Sequence, residues 1–151
     1  MIMKQDDKEL LLRDLCGRLP YGVKGLLCED CICTLDRIWA KKGYESVVFA
    51  GDYCELDSFK PYLFPLSSLT SSEAAAIERI MGCNFPWYIQ YGLLEWTVGG
   101  SVESETFELR IEQIERLTEY LNSHHFDYRG LIEKGLAIDA TDLNIYKKET
   151  K

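Results

Sequence analysis

Three short β-type runs in the first third of the chain place the strongest constraint on its fold. The runs cover residues 23–28, 32–40 and 45–50, and the turns between them contain Glu29-Asp30 and Lys41-Lys42-Gly43. Parallel neighbours need a crossover of a dozen residues or more, whereas turns this short join only antiparallel strands. The sequence therefore predicts an antiparallel β-meander over residues 23–50.

Helical periodicity accounts for much of the remaining chain. Apolar residues at spacings of three and four predict one helix over residues 6–19 and another over residues 106–123. The apolar stripes are Leu11, Leu12, Leu15 and Leu19 in the first helix, and Phe107, Ile111, Ile114, Thr118 and Leu121 in the other. A helix between them should begin at Thr70, because Thr70 and Glu73 have the spacing of a capping box.

These elements predict an α+β fold in a single domain. The antiparallel meander should pack against three to four helices, with the helices over residues 6–19 and 106–123 covering one of its faces. A chain of 151 residues matches one domain of ordinary size. The domain is expected to span residues 1–151, with a loose Lys-rich tail from Lys147.

The charge balance and the apolar runs argue against two classes of partner. The chain has 17 Lys and Arg against 25 Asp and Glu, a net charge of −8, whereas nucleic-acid affinity comes largely from Lys and Arg that release counterions. The longest apolar runs, such as residues 47–50, are far shorter than the ~20 residues of a membrane span. The acidic N-terminus also lacks the pattern of a secretory signal peptide. We therefore expect a cytoplasmic protein that binds neither nucleic acid directly nor a membrane.

Six cysteines raise the question of a metal or redox site. They occupy positions 16, 28, 31, 33, 54 and 83, and Cys28 and Cys31 form a Cys-x-x-Cys pair. Zinc needs four converging ligands, and no second pair follows to complete the set. A redox pair would lie at the N-terminus of a helix, whereas this pair lies at a predicted hairpin turn. The prediction is therefore no metal, no cofactor and, in a reducing cytoplasm, no disulfide.

A dense aromatic cluster over residues 85–96 is the predicted binding surface. Trp and Tyr are enriched at the hot spots of protein interfaces. The candidate anchors are Trp87, Tyr88, Tyr91 and Trp96. The alternative is that the cluster fills a core, which suits Tyr88 and Trp96 in particular. The pattern does not decide between strand and helix here.

The C-terminal segment over residues 121–137 carries the densest set of side chains able to do proton chemistry. Its sequence is LNSHHFDYRGLIEKGLA, and it holds both histidines of the chain, His124 and His125. On a structural interpretation, His125 continues the apolar face of the preceding helix and Asp127 caps a short helix. On a catalytic interpretation, His125 and Asp127 act as a general base and its orienting partner, with Arg129 beside them. No recognisable nucleophile accompanies them, which favours the structural interpretation.

This segment resembles the closing segment of an uncharacterised family of small proteins from gut anaerobic bacteria and their prophages and mobile elements. The shared pattern is a Leu-Asn lead-in, paired histidines and then Phe-Asp-Tyr-Arg-Gly-Leu-Ile, and residues 60–70 carry a weaker echo of the family. The two stretches cover less than a fifth of the chain. The resemblance implies a shared fold but, because the family carries no known activity, no chemistry.

The missing catalytic constellation and the aromatic cluster favour a non-enzymatic accessory protein. Such a protein, encoded on a phage or mobile element, would bind a host or phage protein. The alternative is a small hydrolase-type enzyme that works through His125, Asp127 and Arg129. A solvent-reached concave pocket around these three side chains would favour the enzyme, and a packed helix corner would favour the binding protein.

Overall fold

The computed structural model describes helices and strands within residues 3–41, 44–49, 52–81, 87–90, 93–96 and 111–146. The helices are α1 (Gln5–Arg18), α2 (Ser71–Met81) and α3 (Ile111–Ser123). The strands are β1 (Lys24–Leu27), β2 (Cys31–Thr34), β3 (Arg37–Lys41), β4 (Tyr44–Phe49), β5 (Asp52–Glu55), β6 (Phe59–Pro65), β7 (Trp87–Gln90), β8 (Leu93–Trp96), β9 (Phe126–Asp127) and β10 (Ile138–Asp139). These helices and sheets confirm the α+β class.

The strands over residues 23–50 belong to two sheets rather than to the one predicted meander. β1 and β2 form a hairpin in a sheet of order β10-β6-β1-β2, whereas β3, β4 and β5 form a separate antiparallel sheet. The run predicted as one strand over residues 32–40 divides at Leu35 and Asp36. Leu35 donates its backbone N–H to the carbonyl of Val23, beside β1, and the next N–H, that of Asp36, bonds to Val48 in β4. Consecutive amides thus hold the chain to different sheets.

The sheet that contains β6 is mixed, although the strand pairs formed within residues 23–50 are antiparallel as predicted. β6 pairs antiparallel with β1 but parallel with the two-residue strands β9 and β10. The chain reaches β9 only after α2 and α3, and this long connection is what parallel neighbours require. The C-terminal segment is therefore tied to the centre of the sheet.

Two clusters of buried side chains hold these elements together. The first includes Leu11 and Leu15 of α1, Val47 of β4, and Phe59 and Leu63 of β6. The second includes Ile77 of α2, Leu117 and Leu121 of α3, and Phe126 of β9. Helix α1 therefore packs against strands of both larger sheets rather than against one meander, and the buried face of α3 belongs to a cluster with α2. None of the helices that the structure describes has the length and apolar content to cross a membrane.

The predicted helix boundaries hold best where the signal is a local hydrogen bond. The backbone N–H of Thr70 donates to Glu73 Oε2 at 2.8 Å, and the N–H of Glu73 donates to Thr70 Oγ1 at 3.3 Å, which confirms the capping box at α2. At α1 the N-cap is Lys4, without a side-chain bond, rather than an aspartate. The predicted start of the third helix at residue 106 lies outside the described residues.

The buried face of α3 and the segment that follows differ from the prediction. Ile114 is 47% exposed, and Leu117 is buried instead. The short helix predicted after Asp127 is a turn over residues 131–135, which Gly135 leaves with a φ of +71°. Gly130 also has a positive φ, of +74°, which suits a residue without a Cβ.

Candidate functional site

Asp127 is the cap of the turn in the C-terminal segment. Its Oδ1 accepts the N–H groups of Arg129 and Leu131 at 3.2 and 3.0 Å, and its Oδ2 accepts that of Ile132 at 2.9 Å. The residue is 5% exposed, so these three donors replace water around a buried carboxylate. The contacts fit the structural interpretation of the segment.

A buried ion pair that the sequence analysis missed anchors the same segment to α1. Arg18 and Asp14 are both fully buried, and their Nε–Oδ2 and Nη2–Oδ1 distances are 2.7 and 3.1 Å. Arg18 also donates to the carbonyl of Phe126. The Nε of Arg129 lies 3.4 Å from Asp14 Oδ1, and the guanidinium groups of Arg18 and Arg129 lie over the ring of Tyr128, 5.4 and 5.0 Å from its centroid. Arg129 thus joins the segment to the helix.

The two histidines have opposite environments. His124 is exposed and stacks on Tyr120, with ring centroids 4.1 Å apart. His125 is 8% exposed and stacks on Tyr146, with centroids 3.8 Å apart and an interplanar angle of 11°. Its φ of +61° takes the chain out of the helix, so its burial does not come from a continued face of α3. Its Nδ1 has no hydrogen-bond partner among the described residues.

Burial keeps the His125–Tyr146 stack neutral. Desolvation, followed by the positive charge of Arg18, lowers the pKa of His125 from 6.5 to about 4. Burial raises the pKa of Tyr146 to about 12, and its hydroxyl accepts the N–H of Lys24 and donates to the carbonyl of Tyr62, both at 2.9 Å. A base whose pKa is about 4 is poorly matched to proton transfer at neutral pH.

A cavity of about 810 Å³ lies beside this stack. Among the described residues, its lining includes His124 and His125 but neither Asp127 nor Arg129. The structure therefore does not bring the three candidate catalytic side chains to one cavity. Asp127 bonds to backbone amides and Arg129 lies against Asp14.

Trp87, Tyr88 and Trp96, three of the four predicted aromatic anchors, lie on the paired strands β7 and β8, of which the backbone alone is described. Trp87 pairs with Trp96 and Tyr88 pairs with Glu95 in the antiparallel register of β7 and β8. This settles the choice between strand and helix for these residues in favour of strands. Tyr91 lies outside the described residues. The role of the four residues in binding stays a prediction.

A different set of aromatic side chains lies exposed on the sheet of β3, β4 and β5. Trp39, Tyr44 and Tyr53 are 74%, 79% and 78% exposed. Side chains alternate between the two faces of a strand, so their neighbours in the sequence point the other way. Ile38, Val47 and Cys54 lie opposite one another across the three strands, on that other face, and belong to the first core cluster or pack against it. One face of this sheet is therefore core, and the other is an aromatic surface.

This surface forms a trough of about 730 Å³, in which the small side chains of Ser46 and Val48 on β4 lie between larger ones on the outer strands. Tyr44, also on β4, lies at one end, opposite Lys41. Trp39 on β3 lies opposite Ser46, and Tyr53 on β5 lies opposite Val48. Neighbouring strands are ~4.8 Å apart, so the two outer strands stand about 10 Å apart with the smaller side chains between them. We call this surface the aromatic trough. It is lined by Arg37, Ile38, Trp39, Lys41, Tyr44, Ser46, Val48 and Tyr53.

The charged side chains that line the aromatic trough are positive, whereas the chain as a whole is negative. Arg37 and Lys41 lie two residues to either side of Trp39, which puts all three on the same face of β3. Of the described residues that line the trough, none is acidic. Glu55 shares this face by register, opposite Ser46, but lies on the far outer strand. The β3 side of the trough is thus cationic in a chain of net charge −8.

The cysteines of the described stretches are free thiols. They are Cys16, Cys28, Cys31, Cys33 and Cys54, and Cys83 lies outside the described residues. Burial raises the pKa of the Cys54 thiol to about 11 and also raises that of Cys33, which favours the protonated form over the thiolate that binds metals. Within the part of the chain that the structure describes, no three His, Cys, Asp or Glu side chains are grouped to hold a metal ion.

Comparisons with known proteins leave the chain without an assigned relative. It matched no family model, no curated protein and no solved structure. The resemblance of the C-terminal segment to an uncharacterised family stays a prediction.

Proposed function

We propose that this chain is a non-enzymatic cytoplasmic binding protein that docks a protein partner on the aromatic trough. The observation that carries the proposal is the exposure of Trp39, Tyr44 and Tyr53 on one face of a sheet. Contiguous exposed apolar patches are rare on soluble monomers and mark interaction sites. Trp, Tyr and Arg are also the residues that dominate the binding energy of protein interfaces.

The support beneath the trough suits a docking surface. The opposite face of the sheet is packed into the core, where Val47 is fully buried. A partner therefore meets side chains that are held on a rigid backbone. Trp and Tyr have only two side-chain torsions, so they offer a large contact area at a small entropic cost.

The contacts of the C-terminal segment support a binding protein over the hydrolase alternative. Asp127 accepts three backbone N–H groups, and Arg129 lies 3.4 Å from Asp14. His125 is stacked on the half-buried Tyr146, and its pKa is about 4. Each of the three candidate catalytic side chains thus has a structural contact, although His125 Nδ1 and Arg129 Nε have no hydrogen-bond partner among the described residues.

A pull-down with matched variants tests the proposal. The wild-type chain, the Trp39→Ala/Tyr53→Ala variant and a Tyr21→Ala control are immobilised and exposed to lysate of the cells that carry the gene. Tyr21 is also an exposed aromatic residue, but it lies in the turn after α1 and outside the trough lining. We expect at least one protein to be retained by the wild type and the control and lost from the double variant. Equal retention by all three chains would reject the trough as the docking surface.

A further inference from the structure

We infer that the partner docks through an acidic segment that carries an apolar or aromatic anchor side chain, an inference that rests on the proposed function. The anchor enters the trough between Trp39 and Tyr53. One or two Asp or Glu residues of the same segment pair with Arg37 and Lys41 on the β3 side. The trough thus recognises shape at its centre and negative charge along one wall.

Charge complementarity carries the choice of an acidic segment. Both charged residues in the described lining, Arg37 and Lys41, are cations, although acids outnumber bases by 25 to 17 in the chain. Within the described residues neither cation has an ion-pair partner. Arginine binds a carboxylate through two parallel N–H donors, and an aromatic neighbour that excludes water strengthens such a pair. A partner carboxylate therefore finds both charge and geometry at this wall.

The shape of the trough selects the anchor. Ser46 and Val48 form a floor of small side chains, and Trp39 and Tyr53 rise from the strands on either side. Trp39 lies across Ser46 from Glu55, and Tyr53 lies across Val48 from Arg37, so the two rings stand at diagonal corners of this floor. The outer strands are about 10 Å apart and the rings are offset by two residues along them, which leaves room for a single anchor side chain between the rings. Glu55, on the β5 side, repels carboxylates at that edge and so orients the segment.

Two other occupants fit the trough less well. Single-stranded nucleic acid stacks on aromatic side chains, but its affinity comes largely from cations that neutralise phosphates. Two cations give a slope of log K against log salt of only about −1.4, and the chain as a whole, of net charge −8, repels phosphates. A second copy of the chain would bring two cations, Arg37 and Lys41, and one acid, Glu55, from each copy into one two-fold interface, where the cations outnumber the acids four to two. A short acidic segment meets neither penalty.

A peptide selection tests this chemistry while the partner itself is unidentified. Displayed random peptides of about ten residues, long enough to cross the three strands, are selected on the wild-type chain after depletion on the Trp39→Ala/Tyr53→Ala variant. We expect enrichment of Asp and Glu beside an aromatic or leucine residue. The best peptide should bind the Arg37→Glu/Lys41→Glu variant about tenfold more weakly or worse. Arg13→Glu/Lys134→Glu, the matched control, reverses two exposed charges outside the trough and should leave the affinity unchanged.

The possible outcomes separate this inference from the proposed function. Trough-dependent peptides without excess acid, or equal affinity for the two charge-reversed variants, would overturn the inference and leave the docking function standing. The absence of any trough-dependent peptide would overturn both. Binding of a ten-nucleotide oligothymidine that is lost with Trp39→Ala would assign the trough to nucleic acid instead. Dimerisation that is lost with the same variant, measured by light scattering, would assign it to a second copy.

Discussion

Among single residues, Asp127 has the most concentrated contacts in the C-terminal segment. Asp127→Ala removes an acceptor from three backbone N–H groups and should lower the free energy of unfolding by about 2 kcal/mol. Asp139→Ala is the matched control, because exposed Asp139 accepts only from Thr141 in its turn and should cost about 0.5 kcal/mol. Urea unfolding measures both variants. Equal costs would show that the Asp127 cap does not hold the segment.

His125 should make the stability of the protein depend on pH. Its pKa is about 4 in the folded state against 6.5 for a free side chain, so the unfolded chain takes up a proton first as the pH falls. The free energy of unfolding should therefore be highest above pH ~6.5 and should fall as the pH is lowered toward about 4. The loss between pH 7 and 5 should be about 2 kcal/mol.

Unfolding of two variants isolates this contribution. His125→Asn removes the titrating group and tolerates the positive φ, so it should lose less stability than the wild type between pH 7 and 5. His124→Asn, in the exposed neighbour, should keep the full dependence. The same pH dependence in all three chains would contradict the account of His125.

The residue-scale features differ in how far the sequence reveals them. The caps at Thr70 and Asp127 were predictable because each is satisfied by backbone donors a few residues away. Asp14 and Arg18 were missed because such i,i+4 pairs are usually solvated. Their spacing from Leu11 did place them on the buried side of α1, and this was the available signal. The positive φ of His125 has no counterpart in the local pattern.

At the scale of elements, substitutions on the core face of the β3–β5 sheet should cost more stability than substitutions on its exposed face. Val47→Ala opens a cavity in the core and should lower the free energy of unfolding by about 2 kcal/mol. Tyr53→Ala, on the opposite face of the neighbouring strand, should change it by about 0.5 kcal/mol or less, because Tyr53 is 78% exposed. Thermal and urea unfolding of both variants check this. A large cost at Tyr53 would mean that the trough is a structural surface.

The pairing of β1 with β6 depends on a glycine. A Cβ at Gly25 would collide with the ring of Phe59 and lie 2.8 Å from the carbonyl oxygen of Lys60. Gly25→Ala should therefore cost about 2 kcal/mol or more. The cost should shrink in a Phe59→Leu background, where the ring is gone. An equal cost in both backgrounds, measured by urea unfolding, would place the strain elsewhere.

Element boundaries were predictable where turns mark them and were missed where they do not. Leu35 and Asp36 divide a continuous β-type run, and their amides bond to different strands, which depends on distant partners that the local pattern lacks. The aromatic trough had a signal that was missed: Arg37, Trp39 and Lys41 alternate on one strand. Two charges on one face imply an outward face, and hence an exposed tryptophan.

Across the whole molecule, the residues that stabilise the fold differ from those that we propose for recognition. The two core clusters and the buried pair of Asp14 and Arg18 hold the fold. The rings of the aromatic trough are exposed and outside the core, and we propose that they and the two cations serve a partner. The sequence pattern predicts a binding protein with its aromatic anchors over residues 85–96, and that surface stays a prediction. The aromatic trough was missed because Trp39, Tyr44 and Tyr53 come from three different strands and form no dense run along the chain.

Site-specific photo-crosslinking in the cells that carry the gene is the most direct test of whether a protein partner docks on the aromatic trough. A photoreactive phenylalanine analogue replaces Tyr44 in the trough or, as the control, Tyr21 outside it. If the trough is the docking surface, position 44 should form a covalent adduct with a specific protein and position 21 should form none. Adding Trp39→Ala should abolish the adduct at position 44. The same adducts from both positions, or an adduct at position 44 that persists with Trp39→Ala, would contradict docking on the trough.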